Sequence, residues 1–391
     1  MIIMFEKLNI DKRVLSALKD MRFVKTTEIQ EKVIPIAMRG NDVVAQSMTG
    51  SGKTAAFGVP MLHSIEARRG VQALVLVPTR ELAEQVANEM RKFSKYMQLN
   101  VAKVYGGVGI EPQINALRSS EIVVGTPGRI LDHMSRRTVN FSSLKILVLD
   151  EADRMLDMGF IDDIRRIISA LPRKRQTMLF SATISDDVMR IARNYMHEPV
   201  RISVALRVPK HKLKQFYYDV REDDKISLLL HLIKKEKPSL AIIFCNTKRE
   251  TDFVADALEQ NGAEAKAIHG DMTQQQRMHV MEGFHRGRPH ILVATDVAAR
   301  GLDIRNVTHI FNYDVPNDAD GYTHRIGRTA RIGREGKAIT LLSKKDHESF
   351  RRIMRFISDI EKIVERDYPK VFVKRRYQER GFHRRFGRRR Y

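Results

Sequence analysis

Residues 47–54, SMTGSGKT, have the types and spacing of a loop that binds phosphate. Glycines at 50 and 52 let the backbone curl so that its N–H groups face an anion, Lys53 adds positive charge, and the Thr54 hydroxyl can bind Mg²⁺. The loop follows the strand-like run DVVAQ and precedes a helical pattern, although serine stands at 47 where the strict pattern has glycine. We therefore predict that a nucleotide is held by Ser47, Thr49, Gly50, Ser51, Gly52, Lys53 and Thr54.

Three carboxylates, Asp150, Glu151 and Asp153, follow the apolar run ILVL. Burying carboxylates so close together costs free energy unless cations meet them. A phosphate-bound Mg²⁺ needs such an acidic neighbour, so we expect Asp150 to orient the metal and Glu151 to polarise the attacking water as general base. The expected counter-charge is mainly the metal ion, together with arginines from the other half of the chain.

The segment YTHRIGRTAR, residues 322–331, places Arg325, Arg328 and Arg331 three residues apart. Arginine is permanently charged, planar and multidentate, which suits it to the charge on a migrating phosphoryl group. A generic basic helix is the alternative if the segment is considered alone. The segment lies in the second half of the chain, which has no glycine–lysine loop. We therefore expect its arginines to reach across an interdomain cleft to the first half, so that hydrolysis requires the two halves to close.

Short β-branched runs alternate with helical patterns along the chain, which is typical of an α/β fold with parallel sheets. The runs lie at 42–46, 73–78, 121–126, 146–150 and 178–183, and the pattern restarts at 240–247, 264–270, 290–296 and 309–314. Residues 204–215 between the two sets are basic and contain a proline, as in an exposed linker. We predict domains at 1–205 and 214–370, a linker at 206–213 and a tail at 371–391.

Both halves also place a threonine at the start of a helix after a strand, at Thr79 and Thr126 and again at Thr247 and Thr295. A hydroxyl beside unpaired backbone N–H groups holds an anion well. For any single threonine, an ordinary helix cap is the alternative. Four such residues at equivalent places favour a repeated phosphate-binding track.

The formal net charge of +22, from 69 Lys and Arg against 47 Asp and Glu, indicates a polyanionic partner such as nucleic acid. Residues 371–391 hold nine basic residues, one acid and interleaved aromatics, so we predict a disordered tail that binds RNA by stacking and charge. A lone cysteine, Cys245, excludes an internal disulfide and fits a reducing cytoplasm, and no Cys or His pairs have zinc spacing. No apolar run approaches the ~20 residues that span a bilayer.

These motifs, in this order, resemble the DEAD-box family of ATP-dependent RNA helicases within helicase superfamily two. The resemblance covers roughly residues 5–345 and rests on DEAD at 150–153 with PTRELA (78–83), GG (106–107), TPGR (126–129), SAT (181–183), HGDMTQQQR (269–277), TDVAARGLD (295–303) and HRIGRTAR (324–331). It implies two tandem RecA-like domains with parallel sheets flanked by helices, joined by a flexible linker, which close on ATP and single-stranded RNA.

The resemblance also implies roles for further residues. Phe5, Phe23 and Gln30 belong to an adenine-reading element, in which Arg22 and Thr26 replace the usual glycine and proline. Asp303 holds the ribose, Arg328 and Arg331 contact the γ-phosphate, and His324 bridges towards the acidic motif. Asp153, Ser181 and Thr183 couple ATP state to RNA binding. The implied RNA contacts are Thr79, Arg80, Gly107, Thr126, Arg129, Thr247, Arg277 and Thr295.

The implied function is an ATPase that uses ATP and Mg²⁺, is stimulated by single-stranded RNA, and locally unwinds or remodels short RNA duplexes. We expect a cytoplasmic monomer. Phosphate and sugar contacts predict little sequence preference and marked salt sensitivity, and the preference for RNA over DNA rests on the resemblance. An ATP-gated RNA clamp that nucleates a complex is one alternative, and a DNA-directed helicase is another. The presence of Glu151, Arg328 and Arg331 favours the enzyme.

Overall fold

The structure, a computed structural model, describes residues 4–47, 50–204, 213–299, 307–329, 335–357 and 359–373. Three predicted nucleotide-site residues, Thr49, Asp303 and Arg331, lie outside these ranges, as do residues 206–212 of the predicted linker and the predicted tail from residue 374 onward. Within the described ranges, no helix has the length and apolar character needed to cross a bilayer.

The first half alternates strands and helices. Its strands are β1 (Val43–Gln46), β2 (Ala73–Leu76), β3 (Val101–Val104), β4 (Ile122–Gly125), β5 (Ile146–Leu149), β6 (Gln176–Ser181) and β7 (Val200–Ser203). Its helices are α1 (Lys12–Asp20), α2 (Glu28–Ala37), α3 (Lys53–Ser64), α4 (Arg80–Phe93), α5 (Glu111–Leu117), α6 (Pro127–Ser135), α7 (Ala152–Asp157), α8 (Ile161–Ala170) and α9 (Asp186–Tyr195).

The second half repeats this alternation. Its strands are β8 (Leu213–Asp219), β9 (Ala241–Cys245), β10 (Ala265–Ile268), β11 (Ile291–Thr295), β12 (His309–Asn312), β13 (Gly336–Leu342) and β14 (Ile360–Ile363). Its helices are α10 (Lys225–Glu236), α11 (Lys248–Gln260), α12 (Gln274–His285), α13 (Asp296–Ala299), α14 (Ala319–Ile326) and α15 (His347–Met354).

Each half is built on one parallel seven-stranded sheet. The strand order is β3-β4-β2-β5-β6-β1-β7 in the first half and β10-β11-β9-β12-β13-β8-β14 in the second. The two orders become identical when seven is added to each number of the first. The predicted α/β fold with two tandem domains and parallel sheets is therefore confirmed, and the halves share one topology.

Helices cover both faces of each sheet, which explains the nearly continuous apolar runs in the sequence. Successive side chains of a strand point to opposite faces. On β5, Val148 packs in the core cluster that contains α1 to α4, whereas Leu147 and Leu149 pack in the cluster on the other face. All four residues of β5 are buried. The central strands are thereby fixed in register, and so are the loops at their carboxyl ends.

All nine predicted strands are present, and the described residues form five others that were missed. Strands β3, β7 and β14 carry a charged residue among a few apolar ones, such as Lys103 or Arg201, and they lie at or near sheet edges. Strand β8 begins at Leu213, the last residue of the predicted linker. At the other end, Val371 and Val373 of the predicted tail pack against the second-half core.

Candidate nucleotide and nucleic-acid site

The candidate residues of the first half lie at the carboxyl ends of its parallel strands. Ser47 follows β1, Thr79 lies just after β2, Thr126 follows β4 and Asp150 follows β5. In open parallel sheets, this edge is where ligands bind, because all the strands deliver their loops to it. The fold therefore brings together residues that are far apart in sequence.

The phosphate-loop candidate is shaped by two glycines in the left-handed region, Gly50 at φ 81° and Gly52 at φ 94°. Backbone strain there favours glycine. A Cβ on Gly52 would lie 2.4 Å from Gln30 Nε2, so space as well as conformation requires glycine. The loop is tied to the sheet, since the Ser47 N–H donates to the Ser181 carbonyl at 2.9 Å.

Lys53 begins α3 and is 6% exposed. Its Nζ lies 3.6 Å from Asp150 Oδ1 and has no hydrogen-bond partner among the described residues. A buried ammonium without hydrogen bonds costs free energy, which a bound phosphate would offset. Thr54, the next residue, is half-buried beside it. This unsatisfied lysine is the clearest physical sign of an anion site in the first half.

Asp150 is buried at the end of β5, and its Oδ1 accepts a hydrogen bond from the Glu151 N–H at 2.9 Å. Burial raises the pKa of Asp150 to about 6, against the opposing effect of the nearby Lys53. Carboxylate and hydroxyl oxygens are the ligands that Mg²⁺ prefers. Asp150 and Thr54 therefore have the chemistry of the predicted metal site.

Glu151 caps α7 in a left-handed conformation, at φ 52°, which a non-glycine residue adopts only under strain. Its Oε2 pairs with Arg154 Nη1 at 2.8 Å, and both side chains are buried. Burial alone would raise the pKa of Glu151, but Arg154, Lys53 and Arg328 outweigh it and lower the pKa to about 2.

Two cations of the first half, Arg154 and Lys53, lie close to the carboxylates, in addition to the expected metal ion and arginines of the other half. Arg154 was missed, although residues three apart on a helix are neighbours and Glu151 immediately precedes α7. Because Arg154 occupies one side of Glu151, the other half need supply only part of the positive charge.

Asp153 connects the acidic segment to the end of β6. Its Oδ2 accepts hydrogen bonds from the backbone N–H of Ala182 at 3.0 Å, from that of Thr183 at 2.8 Å and from the Thr183 hydroxyl at 3.0 Å. In return, its own N–H donates to Ser181 Oγ at 3.1 Å. The three residues predicted to couple ATP state to RNA binding thus form one hydrogen-bonded network, in which Asp153 and Ser181 are buried and Thr183 is half-buried.

Arg328 of the second half lies close enough to lower the pKa of Glu151, so the two halves meet at this site. Arg328 is 5% exposed in the turn after α14, and His324 lies half-buried on that helix. The acidic segment of one half and an arginine of the other are therefore neighbours.

Arg325 does not face the first half. This corrects the prediction that all three arginines project into the cleft. It is 1% exposed, and its guanidinium pairs with both oxygens of Asp296 at 2.7 Å. It also donates to Asn246 Oδ1 at 2.9 Å and to the Asp314 carbonyl at 2.5 Å. Three-residue spacing does not distinguish a helix side facing the cleft from one facing the sheet.

One of the predicted adenine-reading residues, Gln30, lies beside the phosphate loop. Gln30 is buried in the first turn of α2, where Oε1 accepts from the Thr27 N–H at 2.9 Å and Nε2 donates to the Gly52 carbonyl at 3.0 Å. Phe5 is buried in the core and meets the half-buried Phe23 edge-on, with ring centroids 6.1 Å apart. Gln30 therefore links its helix directly to the phosphate loop.

The predicted RNA residues of the first half converge on one loop. Gly107 has φ 78°, and a Cβ there would lie 1.9 Å from Arg80 Nη1, so the arginine packs where a side chain would be. Arg129 donates from Nη1 and Nη2 to the Val108 carbonyl at 3.2 and 3.3 Å. Two guanidinium groups thus flank residues 106–108.

Three of the four threonines in the predicted track also cap helices. Thr79, Thr247 and Thr295 accept from backbone N–H groups at 3.3, 3.1 and 3.4 Å, respectively. The Thr126 hydroxyl makes no such cap bond. A capping hydroxyl still leaves the other N–H groups of the helix start available to an anion.

An ion pair beside the predicted RNA track joins the two halves. Arg277 Nη2 of α12 lies 3.1 Å from Glu81 Oε1 in the first turn of α4, and the side chains are 17% and 15% exposed. Arg277 was predicted to contact RNA, and Glu81 was not predicted at all. Glu81 lies next to Arg80 in sequence, so the pair borders the predicted RNA track.

Comparison with known proteins gives two family matches along the chain. Residues 27–191 match the DEAD/DEAH box helicase model, and residues 224–333 match the helicase conserved C-terminal domain. The ATP-dependent RNA helicase CshA of Listeria monocytogenes is 48% identical over 88% of this chain, and the Geobacillus kaustophilus protein of that name is 46% identical over 90%. The chain spans 66% and 76% of their respective lengths.

Solved structures agree with these matches. Dbp5 of S. cerevisiae bound to RNA and ADP BeF3 is 32% identical, with a TM-score of 0.84 over 92% of this chain and 95% of that one. A DEAD box protein from Methanococcus jannaschii is 40% identical but has a TM-score of 0.56, over 93% and 100%. The better fit to the less similar protein indicates that the halves are arranged as in the ligand-bound relative. The chain belongs to the DEAD-box family of ATP-dependent RNA helicases.

Proposed function

We propose that this protein hydrolyses ATP when it binds single-stranded RNA, and that it thereby separates or remodels short RNA duplexes in the cytoplasm. The observation that carries the proposal is the junction of the two halves, where Arg277 lies 3.1 Å from Glu81 and the charge of Arg328 acts on Glu151. Neither half alone holds both the phosphate-loop candidate and Arg328. Activity then depends on closure, and RNA lying across both halves favours closure.

The triphosphate is held by residues 47–54 and by Lys53, whose buried Nζ has no hydrogen-bond partner in the described part of the chain. Gln30 places the base next to the same loop, and Phe5 and Phe23 complete the adenine-reading element. Thr54 and Asp150 would hold Mg²⁺, which supplies charge neutralisation at the phosphates when bound. Because protonated carboxyls do not bind metal, Asp150 must be ionised for this role.

Glu151 orients the attacking water and accepts its proton. Its low pKa in the ligand-free chain reflects cations that face it closely. A bound triphosphate draws Lys53 and Arg328 to its own oxygens, which weakens their effect and moves the pKa of Glu151 upward, towards that of a useful base. Arg328 and Arg331 then stabilise the charge on the transferred phosphoryl group.

RNA phosphates lie along the threonine track and beside Arg80, Gly107 and Arg129. The network of Asp153, Ser181 and Thr183 links this track to the nucleotide, because it bridges the segment after β5 and the segment after β6. These contacts recognise backbone rather than bases, so affinity falls steeply with salt.

The Glu81–Arg277 pair gives a prediction about closure. Arg277→Glu places two acids opposite each other, so we expect RNA-stimulated ATP turnover to fall about tenfold with little change in ATP affinity, from like-charge repulsion across the interface. Combining Arg277→Glu with Glu81→Arg restores the opposite charges and should recover much of the loss. Steady-state turnover at saturating RNA measures both. A double variant no better than Arg277→Glu would show that the pair does not hold the halves together.

The basic tail gives a prediction about affinity. Deletion must begin at residue 374, because the Val371 N–H donates to Ser227 Oγ at 3.0 Å and Val373 packs on the core. Removing 374–391 should weaken binding to single-stranded RNA at moderate salt and leave turnover at saturating RNA unchanged, since these residues add charge and aromatic groups for RNA but include none of the proposed catalytic residues. Fluorescence anisotropy with labelled RNA measures the effect. Equal affinity with and without the tail contradicts it.

The proposed function is tested by ATP turnover with no nucleic acid, with single-stranded RNA and with DNA of equal length. We expect RNA, but not DNA, to accelerate ATP hydrolysis. We also expect the protein, with ATP, to separate the strands of RNA duplexes of about one helical turn. Turnover that is independent of nucleic acid overturns the proposal, and equal stimulation by DNA overturns its RNA preference.

A further inference from the structure

The second half contains a segment at the position that is equivalent to the phosphate loop of the first half. The Val220 N–H donates to the Leu342 carbonyl at 2.9 Å, as the Ser47 N–H does to the Ser181 carbonyl at 2.9 Å. The next helix then begins with a lysine in both halves, at Lys225 for α10 and at Lys53 for α3. Residues 220–225 are therefore the structural counterpart of residues 47–53.

The counterpart lysine is already surrounded by carboxylates. Lys225 Nζ lies 3.2 Å from Asp346, 3.4 Å from Asp314 and 4.0 Å from Glu222, and its side chain is fully buried. Within the described part of the chain, Lys53 makes one ion pair, with Asp150 at 3.6 Å. The second half thus places its own carboxylates where the first half leaves room for phosphate, and a nucleotide cannot enter to that depth.

A cavity of about 840 Å³ is nevertheless present at this place, lined entirely by residues of the second half. This volume is in the range of small-molecule sites. Its charged walls come from the segment after β8 and the segment after β13, and they comprise Asp219, Arg221, Glu222, Lys344, Lys345 and His347. Because both segments belong to one half, the cavity does not depend on closure.

The charges in this cavity favour an anion. Glu222 holds Lys345 at 2.7 Å, and Asp219 lies 3.4 Å from His347. Arg221 and Lys344 are exposed and make no ion pair with any residue the structure describes. Two cations are therefore available at once, and a third, Lys345, would follow if an anion replaced the Glu222 carboxylate as its partner.

We propose that this cavity binds a small anion carrying several phosphate groups, at a site separate from the ATP site. Arg221 and Lys344 contact the phosphates directly, and Lys345 turns from Glu222 to the ligand. Lys225 does not take part, because three carboxylates already satisfy it. Such a ligand would bind the second half whether or not RNA and ATP hold the halves together.

The probe for the test is inorganic tripolyphosphate, titrated calorimetrically into the full chain with saturating ADP and single-stranded RNA to fill the ATP site and the RNA track. We expect one remaining site that weakens about tenfold in the double variant Arg221→Glu/Lys344→Glu, since each reversal replaces attraction with repulsion. The matched control is Lys234→Glu, an exposed lysine at the other end of α10. Equal affinity in the double variant and the control overturns the proposal.

A second variant should bind tripolyphosphate more tightly, a result that misfolding would not produce. Glu222→Gln removes the acid that holds Lys345, so tripolyphosphate should bind several-fold more tightly than to the unaltered protein. The affinity should also fall as salt rises, because the lining is close to the surface. Unchanged or weaker binding to Glu222→Gln contradicts the assignment of Lys345 to the ligand.

Discussion

Glu151→Gln is expected to lower RNA-stimulated ATP turnover by about 100-fold to 10,000-fold, the range that general-base catalysis contributes. Glutamine keeps the size of the side chain and can still accept a hydrogen bond from Arg154, but it cannot take a proton from water. ATP binding should persist, because Lys53 and the glycine loop are unchanged. Single-turnover hydrolysis and equilibrium binding of a fluorescent ATP analogue measure the two quantities separately.

Arg154→Lys is the matched control for this experiment. It keeps a cation three residues from Glu151 but loses the planar guanidinium that pairs at 2.8 Å. We expect a partial loss of turnover, smaller than that of Glu151→Gln. If the Gln variant hydrolyses ATP at a rate near that of the unaltered chain, Glu151 is not the base.

Replacing Arg325 and Arg328 by lysine should affect different properties of the protein. Arg325→Lys removes the bidentate pair with Asp296 and the bonds to Asn246 and Asp314, so we expect the free energy of unfolding of the second half to fall by about 2–3 kcal/mol. Arg328→Lys keeps the charge near Glu151 but not the fork geometry, so turnover should fall about 100-fold or more.

Urea denaturation and ATP turnover, both measured on each variant, separate the two effects. Arg328→Lys should unfold near the midpoint of the unaltered protein. Arg325→Lys should retain turnover at temperatures where it remains folded. If Arg325→Lys is as stable as the parent but inactive, the residue acts at the cleft and not within its own half.

Much of this site follows from local sequence. A glycine-rich loop between a strand and a helix, and carboxylates at the end of an apolar run, have specific physical requirements that few other arrangements meet. The central strands were found because burial on both faces leaves an uninterrupted apolar run. The edge strands were missed because half-exposed strands such as VRIS, residues 200–203, are too short and mixed to show a period.

Partners that are distant in sequence could not be predicted in this way. Nothing local indicates that Arg325 turns towards Asp296 while Arg328 faces the first half, since both lie on the same short segment. The Glu81–Arg277 pair depends on how two separately folded domains approach each other. The resemblance to a family supplied Gln30, but the bond from Gln30 to Gly52 is visible only in three dimensions.

The two halves that build the ATP site belong to one chain, so the activity of the enzyme should depend little on its concentration. A pocket and the arginine that completes it, when carried by separate molecules, meet at a rate set by protein concentration. Here one chain carries both, and tethering by a short segment corresponds to an effective local concentration on the order of millimolar. Specific activity per molecule should therefore stay constant down to the lowest concentrations at which RNA and ATP remain bound.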